Sequence, residues 1–207
     1  MERKIITDMP VIILAAGASR RMRGADKLMQ RVDDMPLIRR QALMARAVTI
    51  GPVIIALPAP PHPRYDVIAD LDITPLTVRD ADEGINASLR AAFAAVSKCA
   101  RAAMVMLADL PALTTQDLRD VIAQVDPASS TLIWRGATET GAPGHPIVFA
   151  APLFAEFAKL TGDTGGGAII AKAKDHLELI KLPNTHARLD LDTPEDWAAW
   201  RKKFPQK

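Results

Sequence analysis

The feature that most constrains this chain is an unbroken apolar run, Val11–Ala15, that leads straight into a glycine and a cluster of basic residues. An apolar run of this length is typical of a strand buried on both faces, as in a parallel sheet. Small residues at its end let a ligand approach the backbone closely. The run therefore predicts a central parallel strand that ends at a binding loop.

Further apolar runs of strand length alternate with amphipathic helical stretches. Strands are predicted over Val11–Ala15, Val53–Leu57, Thr74–Val78, Ala102–Leu107, Thr131–Trp134, Pro146–Phe149 and Leu177–Leu182. Helices are predicted over Pro36–Thr49, Asn86–Lys98, Thr115–Val125 and Pro194–Phe204, with two short helices before the last strand. This alternation predicts a three-layer α/β/α sandwich with a Rossmann-like, mostly parallel sheet.

Composition excludes several classes of protein. The 207 residues are 49% apolar, enough for the core of one domain, and we treat 1–207 as a single domain. The net charge of +2 produces no global field that attracts nucleic acid. The single cysteine, Cys99, cannot form an internal disulfide, which is typical of a reducing compartment, and we assign it no function.

The first 19 residues have the basic start and apolar run of a secretory signal, but Asp8 and Pro10 interrupt the run. We therefore interpret this segment as the first core strand. Apolar runs elsewhere are far shorter than the ~20 residues of a membrane helix. We expect a soluble, cytoplasmic protein with neither a nucleic-acid nor a membrane partner.

The loop after the first strand consists largely of small residues and basic residues. Ala15, Ala16, Gly17 and Ser19 expose backbone N–H groups that can cradle phosphate oxygens. Four basic side chains within eight residues can contact a polyanion; they are Arg20, Arg21, Arg23 and Lys27. Neither the dinucleotide fingerprint nor the P-loop pattern is present. A solvated basic turn is the alternative interpretation.

The segment LAAGASRRMRGADK, residues 14–27, resembles the L-A-A-G-x-S-x-R-M-G…K signature of the nucleotidyltransferase superfamily that includes the molybdenum-cofactor nucleotidyltransferases. The resemblance implies that this loop wraps a nucleoside triphosphate. It implies further that Arg21 and Lys27 contact the phosphates. Arg23 is an extra residue relative to many members, and it is an alternative candidate for part of the role of Arg21.

Asp109 follows the buried run Ala102–Leu107 and precedes Pro111 by two positions. Open α/β sheets bind ligands at the carboxyl ends of their strands, and Mg²⁺ prefers one or two carboxylates together with substrate phosphates. Asp109 is therefore a candidate Mg²⁺ ligand, and an aspartate that merely forms a turn is the alternative. The family resemblance, in which a D-x-P segment holds the metal, favours the first interpretation.

A second acidic segment precedes the last predicted helix. Thr193 followed by Pro194 and two acidic residues is a strong helix start, to which we assign no chemistry. Asp190 and Asp192 alternate on an extended segment, which predicts that they point to opposite sides. The segment resembles a D-[IL]-D-T-P-E-D motif, and the resemblance favours Asp190 as the second metal ligand, with Asp192 as the alternative.

Gly84, Asn86 and Ser88 open a predicted helix, where the polar edge of a ligand can bind. A capped helix without a ligand accounts for the same residues. The family resemblance implies that the base and ribose of the nucleotide lie between this segment and Ala15–Gly17.

Gly144 and His145 lie in a P-G-H-P segment that we expect in a loop. A histidine in such a place is more often a loop hydrogen-bonder than a catalyst. P-G-H-P resembles a motif of the molybdenum cofactor cytidylyltransferases, whereas guanylyl-transferring relatives typically carry R-G-N-P. Gly162 and Asp163 open a glycine-rich segment that is either an anion site or a flexible turn. The resemblance implies that this region serves the pterin substrate and its phosphate.

The resemblance as a whole implies a Mg²⁺-dependent transfer from CTP to molybdopterin, which gives the cytosine dinucleotide and pyrophosphate. Residues up to about 110 would bind the nucleotide and the remainder the acceptor, with Arg21, Lys27 and Asp109 as catalytic residues. A recipient molybdoenzyme or its chaperone would be a further partner. The alternatives are guanylyl or other nucleotidyl transfer to a different phosphorylated acceptor, and a molybdopterin carrier without turnover.

Overall fold

The computed structural model describes residues 7–204 of the chain. Its strands are β1 (Val11–Leu14), β2 (Arg31–Val32), β3 (Met35–Pro36), β4 (Val53–Leu57), β5 (Thr74–Thr77), β6 (Ala102–Leu107), β7 (Ile133–Ala137), β8 (Pro143–Ala150) and β9 (Leu177–Lys181). Seven of them form one sheet in the order β5-β4-β1-β6-β8-β7-β9, and β2 pairs with β3 separately. Neighbours in the large sheet are parallel except those of β8, which runs antiparallel to β6 and β7. The predicted mostly parallel sheet is confirmed.

The helices are α1 (Leu37–Arg46), α2 (Pro63–Asp66), α3 (Ile85–Ala95), α4 (Thr115–Ala123), α5 (Phe154–Phe157), α6 (Gly167–Lys172) and α7 (Pro194–Lys203). One face of the sheet packs against α1, α4 and α7, and the other against α3, α5 and α6. Each face has its own apolar core, because successive residues of a strand such as Ile12 and Ile13 point to opposite sides. The three-layer α/β/α sandwich predicted from the sequence is confirmed.

Strand β1 lies between two parallel neighbours, β4 and β6. Its four residues are all buried, as the unbroken apolar run predicts. Leu14 pairs with Ala56 on one side and with Leu107 on the other, so the three strands end at the same edge. The loops that follow β1 and β6 therefore meet at one edge of the sheet.

Helix α1 ends at Arg46, three residues before the predicted end at Thr49. The side chain of Thr49 is buried, and its hydroxyl donates to the backbone carbonyls of Thr7 and Met9. These tertiary hydrogen bonds fix Thr49 outside the helix. Helix propensity alone does not contain that information.

The largest departure from the predicted elements lies in β7 and β8. Strands predicted over Thr131–Trp134 and Pro146–Phe149 are found over Ile133–Ala137 and Pro143–Ala150. The P-G-H-P segment, expected in a loop, is therefore part of β8. A Cβ on Gly144 would lie 2.0 Å from the carbonyl oxygen of Ala187, so only glycine permits this close approach of the two backbones.

Within residues 7–204, none of the helices combines the length and apolar character needed to cross a membrane. Cys99 is exposed at the surface. The first core strand expected within the first 19 residues is confirmed as β1, and residues 1–6 lie outside the described part of the chain.

The core between the sheet and α3 is built on aromatic contacts. Phe157 is fully buried, and its ring stacks on Phe93 with centroids 3.5 Å apart and lies edge-on to Phe149 at 5.0 Å. Edge-to-face and stacked rings contribute beyond their buried area. These contacts join α3, α5 and β8.

We expect Phe157→Ala to lower the free energy of unfolding by about 3–5 kcal/mol, because it removes a buried ring and leaves a cavity. Urea unfolding of the purified protein measures this change. The matched control is Phe204→Ala, where the exposed side chain should cost less than about 1 kcal/mol. Equal losses in the two variants would contradict the assignment of Phe157 to the core.

Candidate active site

A cleft of about 480 Å³ opens at the edge of the sheet where β1 and β6 end. Its floor is formed by small residues after β1, and its walls by the basic loop and by the segment that begins α3. The sequence-predicted residues that line it are Ala15, Ala16, Gly17, Ser19, Arg21, Lys27, Gly84, Ser88, Asp109 and Asp163. The structure thus brings most of the predicted site together in a single cavity.

The loop after β1 folds into two short 3₁₀ turns, Arg20–Met22 and Lys27–Met29. Ser19 enters the first turn in the left-handed region, with φ 51°. The Asp26 side chain caps the second turn by accepting from the backbone N–H of Leu28 at 2.9 Å. Met22 and Leu28 are the buried anchors of the loop, and its basic side chains are left to face the cleft or the solvent.

A network of charges spans the cleft. Lys27 Nζ lies 2.5 Å from Asp109 Oδ2 and 2.6 Å from Asp192 Oδ1. The guanidinium of Arg21 lies 2.5 Å from the other oxygen of Asp192. The side chains of Lys27 and Asp109 are mostly buried, whereas that of Arg21 is mostly exposed. A polyanionic ligand in this cleft would meet both cations directly.

The pKa values of these groups follow from their partners. Burial by itself would lower the pKa of Lys27, but the carboxylates of Asp109 and Asp192 outweigh it and raise the pKa. Burial would raise the pKa of Asp192, but Lys27 and then Arg21 hold it below the ordinary value. Lys27 is therefore a firmly protonated cation beside two carboxylates.

The prediction that Asp190 and Asp192 point to opposite sides is wrong. Residues 190–192 are irregular backbone, not strand, and the two carboxyl groups lie within hydrogen-bonding reach of each other. Burial, followed by the nearby charges of Asp192 and Asp109, raises the pKa of Asp190. Asp192 lines the cleft and contacts the cations, whereas Asp190 does not line the cleft and is exposed.

The acidic groups suit a divalent cation that is shared with a ligand. Oδ1 of Asp109 is buried and has no hydrogen-bond partner, while Oδ2 contacts Lys27. No set of three or more His, Cys, Asp or Glu side chains in the described part of the chain forms a metal cage by itself. Mg²⁺ commonly takes only one or two carboxylates and completes its shell with phosphates and water. The residues therefore fit a metal that arrives with phosphates.

Asp109 is held in place by its neighbours in the chain. The side-chain amide of Gln41, fully buried in α1, donates to the carbonyl of Leu110 at 2.8 Å. This bond ties the segment after β6 to the helix that packs under the sheet. The position of the Asp109 carboxylate is thus fixed by backbone contacts as well as by Lys27.

The opposite wall of the cleft is formed by Gly84 and the first turn of α3. Oδ1 of Asp163 accepts from the backbone N–H of Ile85 at 2.8 Å, and Gly84 adopts φ +105° against that carboxylate. Ser88 faces the cleft. Asn86 does not, because its side-chain amide is buried and donates to the carbonyl of Thr161. Asn86 and Asp163 thus join α3 to the segment that contains Gly162.

A second cavity of about 370 Å³ adjoins the cleft and shares Leu14 and Ile85 with it. It is lined by apolar side chains of β6, β8 and α5, by the glycines before α6, and by His145 and Arg135. Gly144 lies behind it, packed against Ala187, and Gly162 does not line either cavity. Of the four residues of the P-G-H-P segment, His145 is the one that lines the second cavity.

Arg135 and His145 are the ionisable side chains that line this second cavity. Nε of Arg135 donates to the carbonyl of Gly144 at 2.9 Å, and its remaining N–H groups have no partner among residues 7–204. Burial, and then the charge of Arg135, lowers the pKa of His145 to about 4. The cavity therefore presents a neutral imidazole beside a guanidinium that has no carboxylate partner in the described part of the chain.

Arg64 and Arg135 were not identified as site residues from the sequence, and the role of Arg23 was left open. Arg135 escaped notice because it directly follows the strand predicted over Thr131–Trp134, and an arginine at such a place is ordinarily exposed. Arg64 follows a proline-rich turn, yet it is fully buried against the basic loop. Arg23, the alternative to Arg21, lies 2.6 Å from Glu195 at the start of α7 and does not line the cleft. No pattern within a single segment distinguishes these three roles.

Comparison with known proteins yields a consistent picture. Residues 11–177 match the family described as MobA-like NTP transferase domain. None of the curated proteins gives a significant match to the chain.

Among solved structures, the Rv0371c protein of Mycobacterium tuberculosis H37Rv is 28% identical, with a TM-score of 0.81 over 95% of this chain and 98% of that one. A complex of that protein with manganese also matches, at 28% identity and a TM-score of 0.75, over 94% and 97% of the two chains. The inositol-1-phosphate CTP transferase of T. maritima shares the fold, with 15% identity and a TM-score of 0.67 over 91% of each chain.

We expect Lys27→Ala to weaken the binding of a magnesium–nucleoside triphosphate by about tenfold or more. The variant loses a charge-assisted contact and leaves Asp109 and Asp192 to repel the phosphates. Isothermal titration calorimetry measures the dissociation constant. Lys159→Ala is the control, since Lys159 forms a surface ion pair with Glu156 away from the cleft. Unchanged affinity in Lys27→Ala would make the loop a solvated basic turn.

Proposed function

Because this chain belongs to the family of MobA-like NTP transferase domains and is a nucleotidyltransferase, we propose that it transfers the cytidylyl group of CTP to the phosphate of molybdopterin. The observation that carries the proposal is the juxtaposition of Lys27, Arg21 and Asp109 in a cleft at the end of β1. The products are the cytosine dinucleotide and pyrophosphate.

In this reaction an oxygen of the acceptor phosphate attacks the α-phosphorus of CTP. The bond between the α-phosphorus and the bridging oxygen breaks, and pyrophosphate leaves with the electron pair. The nucleophile is already anionic, so no general base is needed. Lys27 and Arg21 neutralise the phosphates, and the backbone after β1 orients them. Catalysis then rests on position and charge.

Mg²⁺ is part of the proposal. Asp109 would hold it through the buried oxygen that has no other partner, and Asp190 is the second candidate ligand because its carboxyl group has no cation beside it in the described residues. When bound, the ion supplies positive charge to the phosphates. Asp192 already contacts Lys27 and Arg21 and would keep these two side chains in position.

The acceptor would occupy the second cavity. It adjoins the cleft at Leu14 and Ile85, so a molecule lying in it can present its phosphate to the nucleotide. Its apolar walls suit a planar ring, and His145 can contact a ring heteroatom. Arg135 provides a positive charge for an anionic group of the acceptor.

The choice of cytosine depends on both walls of the cleft. A pocket closed around a pyrimidine excludes a purine by steric clash. Ala15 and Ala16, both buried, line one side of the cleft, and Gly84 and Ser88 line the other. The resemblance of Ala15–Gly17 and of the P-G-H-P segment to cytidylyl-transferring relatives supports the same base.

We expect pyrophosphate release with CTP, molybdopterin and Mg²⁺, and little with GTP, the preference reaching roughly 10⁴-fold where the wrong base leaves buried polar groups unpaired. Asp109→Asn should lose on the order of 10²-fold or more in rate while it remains folded. A coupled pyrophosphate assay with the four nucleotides measures both. Equal or greater turnover with GTP would overturn the choice of base, and no turnover with any nucleotide would favour a carrier.

We expect Arg135→Met to raise the KM for the acceptor by about tenfold to a hundredfold, since a charged hydrogen bond contributes roughly 1.5–3 kcal/mol. The KM for CTP, measured on the same variant, is the internal control and should stay unchanged. Arg135→Lys, which retains the charge, should lie in between. An acceptor KM equal to that of the wild type would place the acceptor outside the second cavity.

A further inference from the structure

Arg64 is the most completely buried charged side chain that faces the basic loop, with 1% of its surface exposed. It does not belong to that loop. It extends from α2, a single turn of helix, and directly follows Pro63, the last residue of the proline-rich segment 58–63. Arg64 does not line the cleft, so its guanidinium can act on the cleft only through other residues.

Its guanidinium contacts three separate points of the loop. Nε and one terminal nitrogen each lie 2.7 Å from an oxygen of Asp26, and that nitrogen also lies 3.2 Å from Oγ of Ser19. The other terminal nitrogen donates to the carbonyl of Ala15 at 2.5 Å. One planar group therefore fixes the start, the turn and the end of the loop.

The residues that Arg64 contacts are joined by hydrogen bonds to the part of the loop that carries Lys27. Oγ of Ser19 accepts from the backbone N–H of Lys27 at 3.2 Å, and Asp26 caps the turn that begins at Lys27. Ala15 and Ser19 both line the cleft. A shift of Arg64 would therefore be transmitted to Lys27 and to the backbone beneath the nucleotide.

The loop needs such support from outside. Ser19 and Arg23 adopt left-handed backbone conformations that non-glycine residues rarely occupy, with φ 51° and 52°. Such conformations persist only where the surrounding structure holds them. Few apolar contacts do so here, since Met22 and Leu28 are the buried apolar side chains between residues 18 and 28.

We propose that Arg64 is a positioning residue that preorganises the basic loop through Asp26, Ser19 and the carbonyl of Ala15. An arginine suits the task because its rigid, planar fork donates to several acceptors at once, whereas a lysine ammonium is a point charge. Fixing the loop before the nucleotide arrives lowers the ordering cost of binding. This inference rests on the proposed role of the loop in binding a triphosphate.

The test is Arg64→Lys, which keeps the charge beside Asp26 but cannot reach all three points. We expect the dissociation constants of magnesium–CTP and of magnesium–tripolyphosphate to rise by at least about tenfold, because displacement of positioned groups by about 1 Å can cost 10²-fold. Acceptor affinity should be unchanged. Calorimetry measures binding, and thermal unfolding shows whether the variant is folded.

The matched control is Arg39→Lys. Arg39 also contacts both oxygens of one aspartate, Asp70, at 2.6 and 2.8 Å and a backbone carbonyl, that of Val67, but it lies away from the cleft. It should leave triphosphate binding unchanged. Asp26→Asn removes the charge partner of Arg64 and should reproduce the loss of affinity, which provides a second route if Arg64→Lys does not fold.

Tripolyphosphate separates this inference from the proposed function, because it has no base and needs no acceptor. If CTP is not the substrate but the wild type binds tripolyphosphate and Arg64→Lys does not, the inference stands. Wild-type affinity for tripolyphosphate in folded Arg64→Lys and Asp26→Asn would overturn it. A wild-type protein that binds no triphosphate would overturn both.

Discussion

The parallel pairing of β1 between β4 and β6 is the constraint on which the rest of the structure depends. All three strands are buried on both faces, so each is held in register by two layers of apolar side chains. Because the strands run in the same direction, their carboxyl ends share an edge. That geometry alone brings the small residues after β1 close to Asp109 after β6. Without it the basic loop and the carboxylate would have no common site.

Oppositely charged side chains lie close together in the cleft. Lys27 and Arg21 are paired with Asp109 and Asp192, so two positive charges face two negative charges. A triphosphate would compete with these carboxylates for the same cations, and a divalent ion would take over the carboxylate that is released. The loop that carries the cations has little apolar core of its own. Its shape therefore depends on polar contacts, of which the buried Arg64 makes four.

Two cavities meet at Leu14 and Ile85. The first is polar and faces the basic loop, whereas the second is largely apolar and contains Arg135, which has no carboxylate partner among residues 7–204. The antiparallel β8 lies between β6 and β7 in the sheet, and its residues His145, Ile147 and Phe149 line the second cavity. One antiparallel strand in a mostly parallel sheet thus contributes part of the wall of the second cavity.

The sequence by itself determined the sheet class, the burial of β1 and β6, and most of the polar residues that line the cleft, because each of these depends on a pattern within one short segment. It did not determine that P-G-H-P lies in a strand, since the close approach of Gly144 to Ala187 joins segments that are far apart in the chain. Nor could it show that Asp190 and Asp192 lie together, because that requires irregular backbone rather than a strand. The positions of Arg64 and Arg135 were decided only by the tertiary structure. The position of a buried arginine is set by which distant carboxylates and carbonyls surround it, and no local pattern of residues contains that information.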